Sequence, residues 1–478
     1  MANSARHDEK ASFFALAWLW FKHLPENLTA KFSKAANNVK KLAKDDPRRI
    51  IHSLKVGVSL SLVSIFYYYQ PLYDNFGVSA MWAVMTVVVV FEYTVGATLG
   101  KGLNRGLATL LAGALGVGAH HLASLSGDVG EPILLGFFVF LLAATSTFVR
   151  FFPKVKARYD YGLLIFILTF SLISVSGFRD NKILEMAHKR LSTILIGGSA
   201  CVVISILFCP VWAGEDLHNL IALNLEKLGN FLEGFGGEYF STTMNEESKS
   251  DDNKAFLQGY RSVLNSKSIE ETLANFARWE PGHGRFQFRH PWKQYLKAGT
   301  LTRQCAYRIE ALHGRLNADL IQPSPEIREQ IQEACTKISL ETGKALKELA
   351  TAVKKMTKPS SATPHLASSK AAAKSLKSLL KSGSWDKIDL LEVIPSVTVA
   401  SILLDVVNCT EKIAESVHEL ASLAHFKCTI EPTVSPEKSP LGNPNKPDQN
   451  TKKDCPDHVV ISITESTPTL QENGKPQA

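Results

Sequence analysis

An all-α membrane protein, with six transmembrane helices followed by a cytosolic helical-bundle domain, is the fold class this sequence predicts. Six long apolar runs precede Gly214, each long enough to cross a bilayer as a helix. After Gly214 the apolar residues recur instead at helical spacing, as in Leu217, Ile221, Leu225, Leu228 and Leu232. The mean hydropathy of +0.01 is therefore the average of two unlike halves. The expected division is an N-terminal segment 1–53, a membrane domain 54–213, a helical domain 214–428 and a disordered tail 429–478.

Residues 1–12 are polar, and the Phe13 to Phe21 run is short, aromatic and followed by Lys22, so no removable signal peptide is expected. Phe13 to Trp20 reads either as a short interfacial helix or as a loose terminus. Lys40, Lys41, Lys44, Arg48 and Arg49 precede the first span, Leu54 to Tyr69, and place the N-terminus on the cytosolic side. The second span is expected over Val78 to Val95 and the third over Gly96 to His120, whose glycines include two G-x-x-x-G spacings that permit close helix packing. The HHLASLSGDVGEP loop has no Lys or Arg and suits the external side. The fourth span, Ile133 to Val149, returns to the basic loop of Arg150, Lys154, Lys156 and Arg158. Span five, Tyr161 to Gly177, leads to an external stretch where Arg179, Lys182, Lys189 and Arg190 outnumber Asp180 and Glu185, against the charge rule. Span six, Leu191 to Trp212, delivers the chain to the cytosol.

Beyond the first amphipathic stretch, helices are expected around Phe256 to Phe276, from His290 to Gln322, over Glu326 to Met356 and over Ser396 to His425. Gly and Pro break the chain at Trp279-Glu280-Pro281-Gly282. KPSSATPHLASSK reads as a mobile loop, and the Pro-, Asn- and Lys-rich composition after Ile430 reads as disorder.

The net charge of +8 forms no concentrated arm and accompanies no nucleic-acid-binding signature, which argues against nucleic acid as a partner. The seven cysteines contain no C-x-x-C pair and read as free thiols. GKGLNRG lacks the spacing of a phosphate loop, and no H-E-x-x-H or G-x-S-x-G element occurs. No enzyme, metal or cofactor is expected. Adjacent His120 and His121 do not converge on a helix and have no third ligand nearby.

Lys101 and Arg105 are four apart on one helical face between membrane-grade segments. Alone they would read as cations snorkelling to headgroups. Lys55, Arg150, Lys156 and Arg190 add a cation near the ends of other spans, and rings of Lys or Arg are how pores favour anions. Glu92 is either a proton-coupling carboxylate or the ion-pair partner of Lys101 or Arg105; the surplus of nearby cations favours the pair. Trp279, Glu280 and Pro281 read either as a packing anchor at a helix end or as a transmitter of motion from the helical domain.

WAVMTVVVVFEYTVGATLGKGLNRG, RFFPKVKARYDYG with LIFILTFSLISVSGFR, PVWAGEDLH, and RWEPGHGRFQFRHPWKQYLKAG followed by YRIEALHG together resemble the plant aluminium-activated malate transporter family, over about residues 40–425. The resemblance implies a homodimeric anion channel passing malate and, in various members, chloride or nitrate. It also implies six membrane helices per subunit, a helical cytosolic domain, and gating modulated by voltage and ligand. Its pore residues fall on Lys55, Arg105, Lys156 and Arg190, with Lys101 and Arg150 as additions, and its Trp-Glu-Pro motif falls on Trp279, Glu280 and Pro281. A plasma-membrane location is favoured over the vacuolar membrane. The alternatives are a proton-coupled organic-acid exporter using Glu92 and a non-conducting membrane scaffold.

Overall fold

The computed structural model describes residues 26–71, 80–177, 183–240, 257–316, 325–382 and 390–428. All of them belong to one unit, Met1–Thr429. The expectations for Phe13 to Trp20, residues 72–77 of the QPLYDNFG loop, Arg179, Lys182 and the tail from 429 lie outside the described residues.

The leading part contains α1 (Glu26–Asp45), α2 (Arg48–Tyr68), α3 (Met81–Val90), α4 (Val95–Ser124), α5 (Gly127–Val149), α6 (Pro153–Gly177) and α7 (Ile183–Leu207). The trailing part contains α8 (Ala213–Phe240), α9 (Arg261–Leu264), α10 (Lys267–Ala277), α11 (Trp292–Leu316), α12 (Pro325–Lys355), α13 (Ala362–Lys381) and α14 (Leu390–Leu423). Among the described residues there is no strand, only the isolated bridges His283 to Phe286 and Thr357 to Lys427. The all-α class is observed.

Six described helices are long and apolar enough to cross a membrane: α2, α4, α5, α6, α7 and the Val393–Leu423 part of α14. The last differs from the others in what it buries. Val399, Leu403, Val406, Ile413, Val417 and Leu420 are enclosed in the core of the trailing bundle. In contrast, α4 and α5 leave Leu107, Leu111, Leu115, Phe137, Phe140 and Phe148 exposed, a surface suited to hydrocarbon rather than water.

The expected second span is helical only over Met81–Val90, about 15 Å at the helical rise against a hydrocarbon core of about 30 Å. It stops because the next four residues have other partners. Phe91 is extended, the Thr98 hydroxyl engages both the N–H and the carbonyl of Glu92, and Thr94 caps α4 by accepting from the Ala97 N–H at 3.3 Å. Other boundaries shift by local chemistry. Helix α5 begins at Gly127, so the expected external loop shrinks to Leu125 and Ser126. Lys154, Lys156 and Arg158 of the basic loop lie in the first turns of α6, which opens on Pro153, a favoured residue at a helix start. Helix α7 begins at Ile183 and ends at Leu207, so Arg190 lies two turns inside it rather than at its mouth. KPSSATPHLASSK is not a loop: from Ala362 onward it is the start of α13. Its Pro364 occupies the first turn, where the missing N–H would have no helical partner.

In the leading part, Val63 of α2, Ala83, Val87 and Val90 of α3 and Cys201 and Ile204 of α7 form one buried cluster. Ala112 and Ala119 of α4 meet Phe170 of α6 in another. A Cβ on Gly116 of α4 would stand 2.9 Å from Ile173 Cγ2. Gly116→Val is expected to destabilise the protein by about 1–3 kcal/mol through overpacking. Combining it with Ile173→Ala should return part of that loss in thermal unfolding of the purified protein. A full additive loss in the double variant would show that this contact does not set the α4 to α6 distance.

Candidate functional site

The structure divides the six predicted cations into three kinds. Arg105 of α4 and Arg190 of α7 are 4% and 3% exposed, and no carboxylate among the described residues pairs with either. Arg105 Nη1 donates to the Tyr161 hydroxyl of α6 at 2.9 Å. The Arg190 guanidinium lies over the Trp82 ring of α3, 3.9 Å from its centroid. Arg105 Nε and Arg190 Nε and Nη1 are buried with no hydrogen-bond partner among the described residues. Helices α4 and α7, which carry them, pack together. Two like charges thus share an apolar interior with donors left over.

The second kind is neutralised. Lys101 pairs with Glu92, as the favoured reading of Glu92 expected, and its ammonium stands 5.7 Å from the Tyr161 centroid. Arg150 holds Asp160 through two hydrogen bonds, at 2.8 and 3.2 Å. Lys189, one of the cations that broke the charge rule, pairs with Glu185 at 2.8 Å. The third kind has a single positional role. Buried Lys55 of α2 donates to the Cys209 carbonyl at 2.8 Å, capping the chain where it leaves α7. Lys156 is exposed and lines a cavity of about 320 Å³ together with Lys101, Arg158, Tyr161 and Trp279. Tyr161 therefore connects this cavity to Arg105. Sequence reasoning assigned no role to Trp82, Tyr161 or Asp160, whose parts depend on helices that only the fold brings together.

Trp279, Glu280 and Pro281 follow α10 and enter the space between the bundle and α4. Glu280 is buried, with Oε1 accepting from the Ala213 N–H at 2.6 Å and Oε2 from the Gly214 N–H at 3.0 Å. These are the first amides of α8, whose N-terminus favours a negative charge. Burial pushes the Glu280 carboxyl up, against the lowering pull of these amides. A Cβ on Gly100 would stand 2.9 Å from the Trp279 ring, and one on Gly96 would overlap the Phe276 carbonyl. This G-x-x-x-G pair thus seats the bundle's loop on α4 rather than a second membrane helix. The Val95 N–H donates to the Val211 carbonyl at 2.9 Å, Asn275 Nδ2 donates to the Ala157 carbonyl at 2.8 Å, and His283 stacks on Trp212 at 3.8 Å. The Pro281 carbonyl accepts from His283 Nδ1 at 2.9 Å. The motif packs the bundle against the start of α4.

The model of the aluminium activated malate transporter family matches residues 40–388. The chain is 58% identical over 425 residues to aluminum-activated malate transporter 2 of Arabidopsis thaliana, covering 89% of this chain and 84% of that protein. It is 58% identical over 426 residues to aluminum-activated malate transporter 7 of the same plant, covering 84% of each chain. It is 48% identical over 400 residues to aluminum-activated malate transporter 1 of Triticum aestivum, covering 82% of this chain and 86% of that one. These matches run through the apolar helices, the buried arginines and the Glu280 joint alike: this multi-pass membrane protein belongs to the aluminium-activated malate transporter family.

Proposed function

We propose that the protein is a homodimeric anion channel of a plant plasma membrane, passing malate and smaller inorganic anions such as chloride or nitrate. The single observation that carries this reading is the buried Arg105 and Arg190 pair, without a carboxylate among the described residues and with guanidinium donors unsatisfied. A cation near the bilayer centre costs roughly 2.5–3.5 kcal/mol on insertion scales, and a visiting carboxylate or halide offsets that cost. Lys156 and Arg158 at the 320 Å³ cavity would gather anions from the side of the bundle, which we take to be the cytosol. Arg105 and Arg190 would form weaker successive sites beyond. The names of the relatives support malate as the substrate.

Lys55 and Arg150 enter this proposal as structural supports of the path, since one caps a chain end and the other is paired. The bundle would bias opening through Glu280 and Trp279, because these residues touch the segment that starts α4, the helix carrying Lys101 and Arg105.

Voltage clamp on expressing cells, with malate and chloride gradients and matched surface expression, tests the proposal. Wild-type current should reverse with the anion gradient. Arg105→Gln and Arg190→Gln should each lower the conductance severalfold, and Arg190→Lys should retain more of it. Uphill malate movement driven by a pH gradient and abolished in Glu92→Gln would replace the channel with an exporter. A surface-expressed wild type that carries no current would leave the scaffold.

A further inference from the structure

Helix α1 has an amphipathic sequence, and none of its side chains from Ser33 to Leu42 is buried. It carries Lys31, Lys34, Lys40, Lys41 and Lys44, with acidic residues only at its two ends, Glu26 and Asp45. Ala35, Val39 and Leu42 recur at a spacing of four and three, so they share one face. Every side chain from Ser33 to Leu42 is exposed, with Val39 at 66% and Leu42 at 49%. In water that face would be a liability. Its position supplies another solvent, because only Asp46 and Pro47 separate it from α2, a helix long and apolar enough to cross a membrane.

We propose that α1 lies on the anionic lipid headgroups of the leaflet nearest the bundle, with Val39 and Leu42 in the headgroup boundary and its lysines on lipid phosphates and carboxylates. A basic amphipathic helix beside a membrane span has the chemistry for such a surface. A second copy of α1 fits less well, since it would bring five more lysines against these five.

The elbow beyond α1 is tied to the joint described above. Asp46 accepts from the Tyr93 hydroxyl at 3.2 Å and from the Arg48 N–H at 3.2 Å. Arg48 Nη1 reaches Asp216, in the first turn of α8, at 3.0 Å. Tyr93 directly precedes the cap of α4. The charge of the leaflet is thereby read into the place where the bundle meets α4. The proposal requires that α2 crosses the membrane and does not require that the protein conducts malate.

Hydrogen exchange on the full chain, reconstituted in bilayers of phosphatidylcholine alone or with phosphatidylserine, is the test. The amides of Glu26–Asp45 should be protected in the anionic bilayer and much less in the neutral one. Each Lys→Gln change among the five should lower that protection by roughly fivefold, Lys→Arg should preserve it, and 1 M salt should reduce it by screening. Val39→Asp with Leu42→Asp should remove it without altering exchange in the bundle core. Equal protection in both bilayers that rises with protein density would assign the face to a second copy and overturn the proposal. Equal exchange at solvent rates in both bilayers would overturn it as well.

Discussion

Glu280→Ala is expected to release the first turn of α8 and to cost the joint about 3 kcal/mol. The carboxylate accepts from two buried amides, Ala213 and Gly214. A hydrogen bond to a charged group contributes about 1.5–3 kcal/mol, and a negative charge at a helix N-terminus adds about 0.3–1 kcal/mol. These terms overlap, since they describe the same oxygens and the same amides, so the total is held at the lower end of their sum. Gln at this position keeps the shape but has one acceptor oxygen, so one amide loses its partner at about 1–3 kcal/mol. Glu280→Gln should therefore fall between wild type and Ala. Exchange of the amides from Ala213 to Leu217 should accelerate about a hundredfold in Glu280→Ala, while amides deep in the bundle, such as those around Leu403 and Val406, change far less. If the bundle does bias opening through this contact, the voltage dependence of the current should shift in the same variant. Unchanged exchange at Ala213 and Gly214 would show that the amides have another acceptor and that Glu280 does not hold the joint.

How much of this was legible in the sequence depends on how far each feature reaches in space. The apolar runs of α2, α4, α5, α6 and α7 were readable because hydrocarbon burial is a property of a segment by itself. The end of α3 was not, because it is set by Thr94, Thr98 and the Val211 carbonyl, partners that only the folded turn assembles. Gly96 and Gly100 were read correctly as sites of close approach, yet the partner is the bundle's Phe276 and Trp279; a spacing of four specifies a face, not what covers it. The cations show the same limit. Pairing of Glu92 with Lys101 is nine residues long and was foreseeable from charge. The burial of Arg105 against Tyr161 and of Arg190 on Trp82 joins four helices, and nothing local separates these two arginines from Arg150, which Asp160 neutralises. The KPSSATPHLASSK segment was read as a loop although its second half is helical: proline stops a helix from inside and is harmless in its first turn.

Acidification is expected to weaken the bundle between about pH 6.5 and pH 4, through two histidines that burial keeps neutral. His218 is fully enclosed and His290 nearly so. Burial pushes each down from the ordinary 6.5 to about 4. Their protons can be placed by elimination. The Lys354 carbonyl, 3.4 Å from His218 Nε2, can only accept, so Nε2 carries the hydrogen and Nδ1 accepts from the Tyr295 hydroxyl at 2.9 Å. The Tyr295 oxygen then accepts from His290 Nε2 at 3.3 Å. A second proton on His218 would face the Tyr295 hydroxyl with a donor and leave that hydroxyl without its acceptor. Nearby Arg285, whose charge acts on both His218 and Tyr295, opposes the added proton. The sign follows from linkage. Above pH 6.5 both states are neutral and stability is flat. Below it the unfolded chain binds protons that the folded bundle refuses, so stability falls with pH until the folded value near 4 is reached. A displacement of this size corresponds to about 3 kcal/mol for one histidine, and less than twice that for the pair, because they share Tyr295 and the charge of His218 acts on His290. Thermal unfolding of the full chain between pH 7.5 and pH 4.5 measures the slope. His218→Gln should lower stability at pH 7.5 yet flatten the decline by about half, which a purely structural loss would not do. An undiminished slope in the His218→Gln, His290→Gln double variant would place the acid sensitivity elsewhere in the bundle.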